Sequence, residues 1–315
     1  MYERLFAKRG LSLDRMRVLL EVREAGSIAK AAGSDPVRQS QYSRQLKELD
    51  EFFGVELTRR RGRTMALTPA GEELAALIKE HFIALGQFSR RLADDPIPVF
   101  IAAGESLVHW VLVPMVPKLQ QTVRGIALRL QNCSSSDINA KLLARDADLG
   151  LLRKDAVAPN LRIQSLGRVS YALYVPKALA KTVAGSRSAR LLAELSMATI
   201  PPDYSVGRDL HQLGEKAGIR INVRLECDSF AGLARAVDTE GYAAVLPTYA
   251  EPHLRGDTER VALPLLKPMI REIALAWQDR KVGLRPEIEK VQRWMAEELT
   301  LETRVTHTPP IAKHD

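Results

Sequence analysis

The segment 12–53 constrains the fold most, because it contains three helical stretches separated by helix-ending glycines. Ser12 can cap a first helix, and Ser27 opens a short second helix that ends at a glycine. Asp35 followed by Pro36 then supplies a capping carboxylate and a first-turn proline to a third helix. Helices joined by a tight turn that contains glycine are typical of a helix-turn-helix, so we expect that motif here.

The third helix has an uneven distribution of polar residues. On a helical wheel, Tyr42, Leu46, Leu49 and Phe53 form one stripe, which predicts the buried face. On the remaining faces of this helix, hydrogen-bond donors and cationic side chains occupy the first turns, and acidic side chains occupy the later turns. Arg can pair with guanine, Gln with adenine, and Ser with bases or phosphates, so this end suits the major groove. The predicted DNA contacts are Arg38, Gln39, Ser40, Gln41, Ser43, Arg44 and Lys47, together with Ser27 in the preceding segment.

Residues 55–68 predict a basic hairpin, or wing, with two short strands joined at 61 and 62. Arg60, Arg61 and Arg63 are predicted to hold phosphates or to probe the minor groove. The alternative for any one of them is an arginine in a solvated loop.

Thr68 and Pro69 begin a fourth helix, in which apolar residues recur at alternating spacings of four and three. Such a heptad seam indicates a dimerising coiled coil rather than a core helix. The predicted seam consists of Leu74, Ile78, His81, Leu85, Phe88 and Leu92, with His81 as a polar member that sets the register.

The charge is concentrated near the N-terminus, as expected for a segment that binds a polyanion. Residues 1–70 carry a net charge of +5, and the other 245 residues carry +3. No apolar run is long enough for a membrane helix, and the N-terminus does not resemble a secretory signal. The two cysteines provide no disulfide framework, which favours the cytoplasm.

After an expected boundary at 94–98, strand and helix patterns alternate, which predicts an α/β region. The six histidines are scattered, and no nucleotide-binding or nucleophile motif occurs. We therefore predict no metal, no cofactor and no enzymatic activity. The candidate strands are 99–103, 126–131, 147–152, 170–175, 197–201, 221–227, 242–247 and 271–277.

The N-terminal pattern resembles that of the LysR-type transcriptional regulators. The similarity is carried by Ala31 and Ala32, the run from Ser43 to Leu46, and the Phe-Gly-Val at 53–55, with further matches at Arg63, Leu67, Thr68 and Gly71. It implies an α+β multidomain protein with a winged helix-turn-helix, a linker helix and an effector domain resembling type 2 periplasmic binding proteins. We expect a DNA-binding domain at 1–68, a linker helix at 69–95, an effector domain at 96–303 and a flexible tail at 304–315.

The resemblance places the family's DNA contacts on Gln39, Ser40, Ser43, Arg44 and the wing arginines. This sequence departs from the family pattern at Asp35, Arg38, Ser40, Gln41 and Thr58. Asp35 and Pro36 can start the recognition helix a turn earlier, so we expect DNA binding to survive. The altered side chains leave the operator sequence open.

The resemblance also implies a ligand between two α/β subdomains. Subdomain I would comprise about 96–166 and 266–303, and subdomain II about 167–265. Strand ends and helix starts favour ligand contacts there. Ser106, Ser134 and Ser229 are equally well explained as helix caps. Three acidic residues at these places favour a neutral or cationic ligand. The predicted effector contacts are Gly104, Glu105, Ser106, Cys133, Ser134, Pro202, Asp203, Asp228, Ser229 and Thr248.

Cys133 and Cys227 both follow strands, where a thiol switch and two structural thiols are the alternatives, and the sequence favours structural thiols. The family resemblance predicts a homodimer or homotetramer that binds promoter DNA and a small-molecule effector, with RNA polymerase as a further candidate partner. One alternative is a small-molecule-binding or enzymatic α/β protein with an N-terminal oligomerisation or DNA-tethering module. Another is a regulator whose ligand site has decayed.

Overall fold

The computed structural model describes residues 3–33, 35–61, 64–181, 188–255, 257–279 and 285–301. The chain divides into two compact units, an N-terminal unit (Met1–Asp95) and a C-terminal unit (Pro96–Asp315). The expected flexible tail, 304–315, lies outside the described residues. Among the helices that are described, none combines the length and the apolar character that crossing a bilayer requires.

The N-terminal unit consists of helices followed by a short hairpin and one long helix. Ser12 caps its helix through the side chain, and Asp35 accepts hydrogen bonds from the backbone N–H groups of Val37 and Arg38. Gly54 has a φ of 70°, the left-handed conformation in which a helix commonly ends at glycine. The elements are α1 (Glu3–Phe6), α2 (Leu13–Ala25), α3 (Ile28–Ala31), α4 (Pro36–Phe53), β1 (Thr58–Arg61), β2 (Thr64–Leu67) and α5 (Pro69–Leu92).

One face of α4 packs into the core of this unit, as the helical wheel predicts for its first three apolar positions. The wheel is wrong at the end of the helix, because Phe52 is buried whereas Phe53 is 38% exposed. Phe52 lies beside Gly10, so the segment before α2 decides which phenylalanine faces inward. The core cluster consists of Val18, Leu19, Val22, Ile28, Tyr42, Leu46, Leu49, Leu57, Ala75 and Ile78.

The first turns of α5 belong to the same core. Ile78 is buried, and Leu74 packs against the cluster. These turns lie against α2, where Arg23 and Glu72 form an ion pair of 2.8 Å. Within this chain, Leu74 and Ile78 therefore belong to the core around the helix-turn-helix, and their part in a dimerising seam stays a prediction.

The C-terminal half of α5 presents the rest of the predicted seam to solvent. The ring Nδ1 of His81 lies 2.8 Å from the carbonyl oxygen of Leu77, so its hydrogen bond is within its own helix. Leu85, Phe88 and Leu92 are 59%, 56% and 75% exposed. These three apolar side chains are the members of the seam that an isolated chain leaves uncovered.

The described part of the C-terminal unit contains two five-stranded sheets, which we call sheet I and sheet II. Sheet I has the strand order β4-β3-β5-β12-β6, and sheet II has the order β11-β7-β10-β8-β9. The strands of sheet I are β3 (Ile97–Ala103), β4 (Ile126–Asn132), β5 (Leu149–Arg153), β6 (Arg162–Val169) and β12 (Arg271–Trp277). The strands of sheet II are β7 (Tyr171–Pro176), β8 (Met197–Thr199), β9 (Val223–Glu226), β10 (Ala243–Pro247) and β11 (Thr258–Val261).

Helices pack on both sheets. In sheet I, β3 runs parallel to β4 and β5, and β12 runs antiparallel to β5 and β6. In sheet II, β8 runs parallel to β9 and β10, and β7 runs antiparallel to β10 and β11. The helices are α6 (Glu105–Leu107), α7 (Val113–Thr122), α8 (Ser135–Leu143), α9 (Lys177–Ala180), α10 (Leu191–Glu194), α11 (Ser205–Lys216), α12 (Phe230–Asp238) and α13 (Pro286–Glu298), with a π-helical turn (Val108–Leu112) between α6 and α7.

The chain crosses between the sheets later than expected in both directions. The first crossing is at Ser170, because β6 continues to Val169, rather than near 166. On the return, Leu266 and Met269 still pack in the core of sheet II, so the chain leaves after them rather than near 265.

The sequence pattern missed β6 and β11. Both lie at the edge of a sheet, where one side of the strand is unpaired. The first four residues of β6 are exposed, and β11 has two adjacent charged residues, Glu259 and Arg260, at its centre. Strands of this kind lack the apolar run by which the central strands were found.

A buried ion pair joins the start of α13 to sheet I. The Arg285 guanidinium pairs with Asp148, and both side chains are at most 3% exposed. Arg285 also donates to the Pro98 carbonyl at 2.9 Å, and Asp148 accepts from the Phe100 N–H at 2.9 Å. Each charge is thus hydrogen-bonded where water is excluded, as a buried pair requires.

Replacing Gly71 by alanine is expected to lower the free energy of unfolding by about 1–3 kcal/mol. A Cβ there would lie 2.1 Å from the backbone oxygen of Leu57, so α5 could not approach the wing. Gly86→Ala, in the same helix, is the control. Its Cβ would meet no described atom within 4 Å, and alanine should stabilise the helix by about 0.5–1 kcal/mol. Equal effects of the two variants in denaturant unfolding would contradict this account of Gly71.

Replacing Arg285 by methionine is expected to cost about 3–5 kcal/mol, because Asp148 would be left buried without its cation. The matched control is Arg293→Ala on the same helix, where the pair with Glu289 is exposed and should contribute below about 0.5 kcal/mol. Urea unfolding followed by circular dichroism measures both. A loss from Arg285→Met no larger than that of the control would disprove a stabilising role for the buried pair.

Candidate DNA-contact surface and inter-sheet cleft

The first turns of α4 present polar side chains to solvent, opposite the buried stripe. The side chains of Arg44 and Lys47 are 82% and 77% exposed. Ser40, Gln41 and Ser43 are also exposed, and Gln39 is half-buried. The structure therefore brings most of the predicted DNA contacts together on one accessible surface at the start of one helix.

Arg38 is held at the rim of this surface by two neighbours. Its Nε and Nη2 donate to the Tyr42 hydroxyl oxygen at 3.0 and 2.7 Å, and Nη2 lies 3.6 Å from a carboxylate oxygen of Glu21 on α2. The Tyr42 hydroxyl in turn donates to Glu21. The hydrogen bond to Tyr42 raises the pKa of the Arg38 guanidinium, which stays half exposed. The network fixes the direction in which this cation points.

Glu48 orients the Arg44 side chain in a similar way. The Arg44 Nε donates to Glu48 at 3.1 Å, and Arg15 of α2 donates to the same carboxylate. The hydrogen bonds from Arg15 and Arg44 lower the pKa of the Glu48 carboxyl, so it is ionised at neutral pH. Two acidic residues, Glu21 on α2 and Glu48 in a later turn of α4, thus orient the arginines of this surface.

Ser27, which the sequence predicts as a DNA contact, is buried in the structure. Its side chain is 4% exposed and accepts a hydrogen bond from the Lys30 N–H as the N-cap of α3. The hydroxyl is committed to the cap because the helix is only four residues long and needs that acceptor.

The wing forms as two antiparallel strands, with Arg60 opposite Met65 and Arg61 opposite Thr64. Arg63 lies outside the described residues, and the side chains of Arg60 and Arg61 do as well. Their predicted phosphate contacts stay predictions.

The predicted effector residues lie where strands of the two sheets end. Gly104, Glu105 and Ser106 follow β3, and Cys133 and Ser134 follow β4. Pro202 and Asp203 come after β8, Asp228 and Ser229 after β9, and Thr248 after β10. We call the space between these two groups of strand ends the inter-sheet cleft.

Glu105 crosses this cleft to the start of α12. One carboxylate oxygen accepts from the Ser229 hydroxyl at 3.0 Å, and the other accepts from the Phe230 backbone N–H at 3.1 Å. Ser229 also caps α12 by accepting from the Gly232 N–H at 3.0 Å. The serine hydroxyl therefore fulfils both roles that the sequence left open, because it caps a helix and contacts the opposite wall.

Tyrosines that sequence reasoning missed lie between the sheets. The Tyr249 hydroxyl is 2.8 Å from the Ser106 hydroxyl, and Thr248 contacts Ser170 at the crossing strand through their hydroxyls at 3.3 Å. Burial raises the pKa of Tyr249 strongly and raises that of Tyr171 to about 12, so both phenols stay protonated. Their positions beside Thr248 and Ser170 were the signal that could have found them.

Trp110 is a further contact across the cleft. It lies in the π-helical turn after β3, yet its buried side chain belongs to the core cluster of sheet II. The indole stacks on the His253 ring with centroids 6.3 Å apart and meets the Tyr249 ring edge-on at 6.1 Å. A single apolar side chain from one subdomain is thus packed inside the other.

Other predicted effector residues make local contacts. Ser134 caps α8 by accepting from the Asp137 N–H, and the Asp203 carbonyl accepts from Arg208 at 3.0 Å. Asp228 lies 3.5 Å from the Tyr204 hydroxyl. Pro202 is exposed. Burial raises the pKa of the Cys133 thiol, which disfavours the reactive thiolate and agrees with a structural thiol.

Arginine side chains at the base of the cleft were also missed. Arg271 begins β12 in sheet I and pairs with Asp209 of α11, which packs on sheet II. Arg153 ends β5 and pairs with Asp155 at 3.3 Å. Within the described chain, no group of three or more His, Cys, Asp or Glu side chains is arranged to hold a metal ion.

Two family models match the chain, one in each of its two units. The model of the "bacterial regulatory helix-turn-helix protein, lysR family" matches residues 13–72. The "LysR substrate binding domain" matches residues 98–300. The first contains the candidate DNA-contact surface, and the second contains both walls of the inter-sheet cleft.

Sequence relatives agree. A probable nitrogen assimilation transcriptional activator of Synechococcus elongatus is 28% identical over 294 residues, which is 88% of this chain and 92% of that protein. The glycine cleavage system transcriptional activator of Escherichia coli is 30% identical over 224 residues, 69% of this chain and 70% of that one. Both names denote regulators of transcription rather than enzymes.

Solved structures share the fold. A full-length OxyR variant from Pseudomonas aeruginosa has a TM-score of 0.63 at 18% identity, covering 92% of this chain and 96% of that one. CrgA from Neisseria meningitidis has a TM-score of 0.54 at 17% identity, covering 91% and 99%. Because the substrate-binding model alone spans well over half of its residues, the chain belongs to the LysR family of transcriptional regulators.

Proposed function

We propose that the first turns of α4 enter the major groove of duplex DNA and read an operator sequence. The observation that carries this proposal is the clustering of Ser40, Gln41, Ser43 and Arg44 on the exposed side of α4, opposite Leu46 and Leu49 in the core. A helix that enters a groove by its N-terminal end needs donors and cations in these positions.

Glu21 and Glu48 support this reading by orienting the arginines. Glu21 forms an ion pair with Arg38 and accepts a hydrogen bond from the Tyr42 hydroxyl. Glu48 accepts hydrogen bonds from Arg44 and from Arg15 of α2. A cation that is already oriented loses less side-chain entropy when it meets a base or a phosphate. The carboxylates also repel phosphates, so we infer that they keep the later turns of α4 away from the DNA backbone.

We propose a dimer or tetramer in which the C-terminal half of α5 pairs with a second copy. Leu85, Phe88 and Leu92 are large, apolar and exposed, and they continue the heptad spacing beyond the core of the N-terminal unit. Two α4 helices would then read half-sites about one helical turn apart, or a multiple of that.

We place effector binding in the inter-sheet cleft. Parallel strands of both sheets end there, and their ends carry hydroxyl, carboxylate and aromatic side chains. A ligand that prefers one separation of the subdomains would shift the population of the whole assembly on DNA. We also propose RNA polymerase as a partner. Two free thiols in the described chain favour a cytoplasmic location.

Replacing Ser43 and Arg44 together by alanine is expected to weaken operator binding about 10- to 100-fold, because a base or phosphate contact is lost at each position. The slope of log K against log salt should fall by about 1 if Arg44 meets a phosphate. Fluorescence anisotropy of an operator fragment, selected from genomic DNA by the purified protein, measures both quantities.

The matched control is Lys118→Ala, which removes an exposed cation of the C-terminal unit that is paired with Glu298. Its operator affinity and salt slope should equal those of the original protein. Unchanged values for the Ser43 and Arg44 double variant would exclude α4 as the DNA reader.

Arg38→Ala is expected to reduce discrimination at one base pair by about 5- to 150-fold, the range for a lost bidentate contact. Tyr42→Phe should weaken preference at the same base pair by a smaller factor, because Arg38 loses the hydroxyl that orients it. Gln41→Ala serves as the control and should act at a different base pair. Selection from randomised operators measures the preferences. Altered preference in Arg38→Ala with an unaltered one in Tyr42→Phe would rule out the orienting role.

A further inference from the structure

The residues that follow β3 bridge the inter-sheet cleft at three successive points. Glu105, Ser106 and Trp110 belong to the subdomain of sheet I, and each contacts the subdomain of sheet II. We call these three residues the β3 latch. The three contacts of the latch join two subdomains of one chain.

The carboxylate of Glu105 occupies the start of α12 as an external anion would. The first N–H groups of a helix lack partners within the helix, and its positive end favours negative charge. Glu105 takes the Phe230 N–H and the Ser229 hydroxyl with its two oxygens, which is the pattern expected of a bound carboxylate. Here the anion is supplied by the opposite wall of the cleft.

Trp110 adds an apolar contact to the β3 latch, and Ser106 adds a hydrogen bond between two uncharged hydroxyl groups. Trp110 is 7% exposed among residues of sheet II, so opening the cleft would expose a large aromatic surface. Ser106 meets Tyr249, whose ring also touches the indole. The three contacts therefore open and close together, because they lie within two turns of the chain.

We propose that the β3 latch closes the two subdomains without an effector, and that Glu105 is a built-in substitute for a carboxylate ligand at the start of α12. The inference deepens the proposed function and rests on the cleft being the regulatory site. A carboxylate effector would have to displace Glu105 before it could use these donors.

This proposal also changes what the acidic residues of the cleft imply. By sequence alone, Glu105 is one of three acidic residues that favour a neutral or cationic ligand. Its charge is already matched by two donors and by the end of a helix. The carboxylate thus defines an occupied anion site rather than a free cation site.

Chemical rescue tests the proposal on the full-length protein. Glu105→Ala should lower the Tm by about 2–6 °C, because two hydrogen bonds to a charged group are lost. Sodium acetate should recover at least half of this loss in a saturable manner, since acetate can occupy the vacated position. Sodium chloride at equal ionic strength should not, and the original protein should respond equally to both salts.

Two further variants define the site. Adding Ser229→Ala to Glu105→Ala should abolish the acetate response, because one of the two donors is gone. Asp137→Ala is the matched control, since Asp137 is an exposed carboxylate in the first turn of the nine-residue helix α8. Its variant should show no difference between acetate and chloride. An unchanged Tm in Glu105→Ala, or equal effects of the two salts on it, would overturn the proposal.

Glu105→Gln covers the case in which the alanine variant does not fold. Glutamine keeps the size of the side chain but removes its charge, so amide hydrogen exchange at Phe230 and Gly232 should accelerate at least about 5-fold. Unchanged exchange would also overturn the proposal. Operator binding by the original protein is measured in parallel. If acetate fails to rescue Glu105→Ala while the original protein still binds its operator, the latch is disproved and the proposed function is not. If acetate rescues the variant but the original protein does not bind an operator, the proposed regulatory function is disproved and the latch is not.

Discussion

The insertion of β12 between β5 and β6 is the constraint on which the C-terminal unit depends. This strand comes from the last part of the described chain, yet it pairs along its length with both neighbours and completes sheet I. The chain must therefore leave sheet I, build sheet II and return. Two crossings side by side join the subdomains, so the strand ends of both sheets border one cleft. The buried pair of Arg285 and Asp148 anchors the returning segment to the strands formed first.

A second dependence links the fold of the N-terminal unit to its chemistry. The acids on α2 and in the later turns of α4 are not merely a solvated face. Glu21 and Glu48 connect the recognition helix to the helix behind it, and the same contacts fix the directions of Arg38 and Arg44. A substitution of either acid would therefore change both the packing of α4 against α2 and the orientation of these arginines. The contacts with Glu21, Tyr42 and Glu48 thus restrict the rotamers of two arginines on the exposed surface.

The β3 latch shows how one short stretch can serve the fold and the regulatory site. Residues that look like a simple helix start in sequence become the contact between two subdomains. Because the family consists of transcriptional regulators, the expectation that the chain is not an enzyme is confirmed by that membership. If the cleft is the effector site, the affinity for a carboxylate ligand would depend on how readily Glu105 leaves the start of α12.

Local chemistry in the sequence determined the helix caps at Ser12 and Asp35, the glycine that ends α4, the wing, and the central strands, because each depends on neighbours in the chain or on an apolar run. Tertiary structure decided the rest. The strands β6 and β11 have no continuous apolar run, so only pairing reveals them. Phe52 rather than Phe53 is buried because Gly10 packs there, and Leu74 and Ile78 belong to the core because α5 lies on α2. Glu105 and Ser229 are 124 residues apart, and no local pattern reports which donors a distant carboxylate will meet.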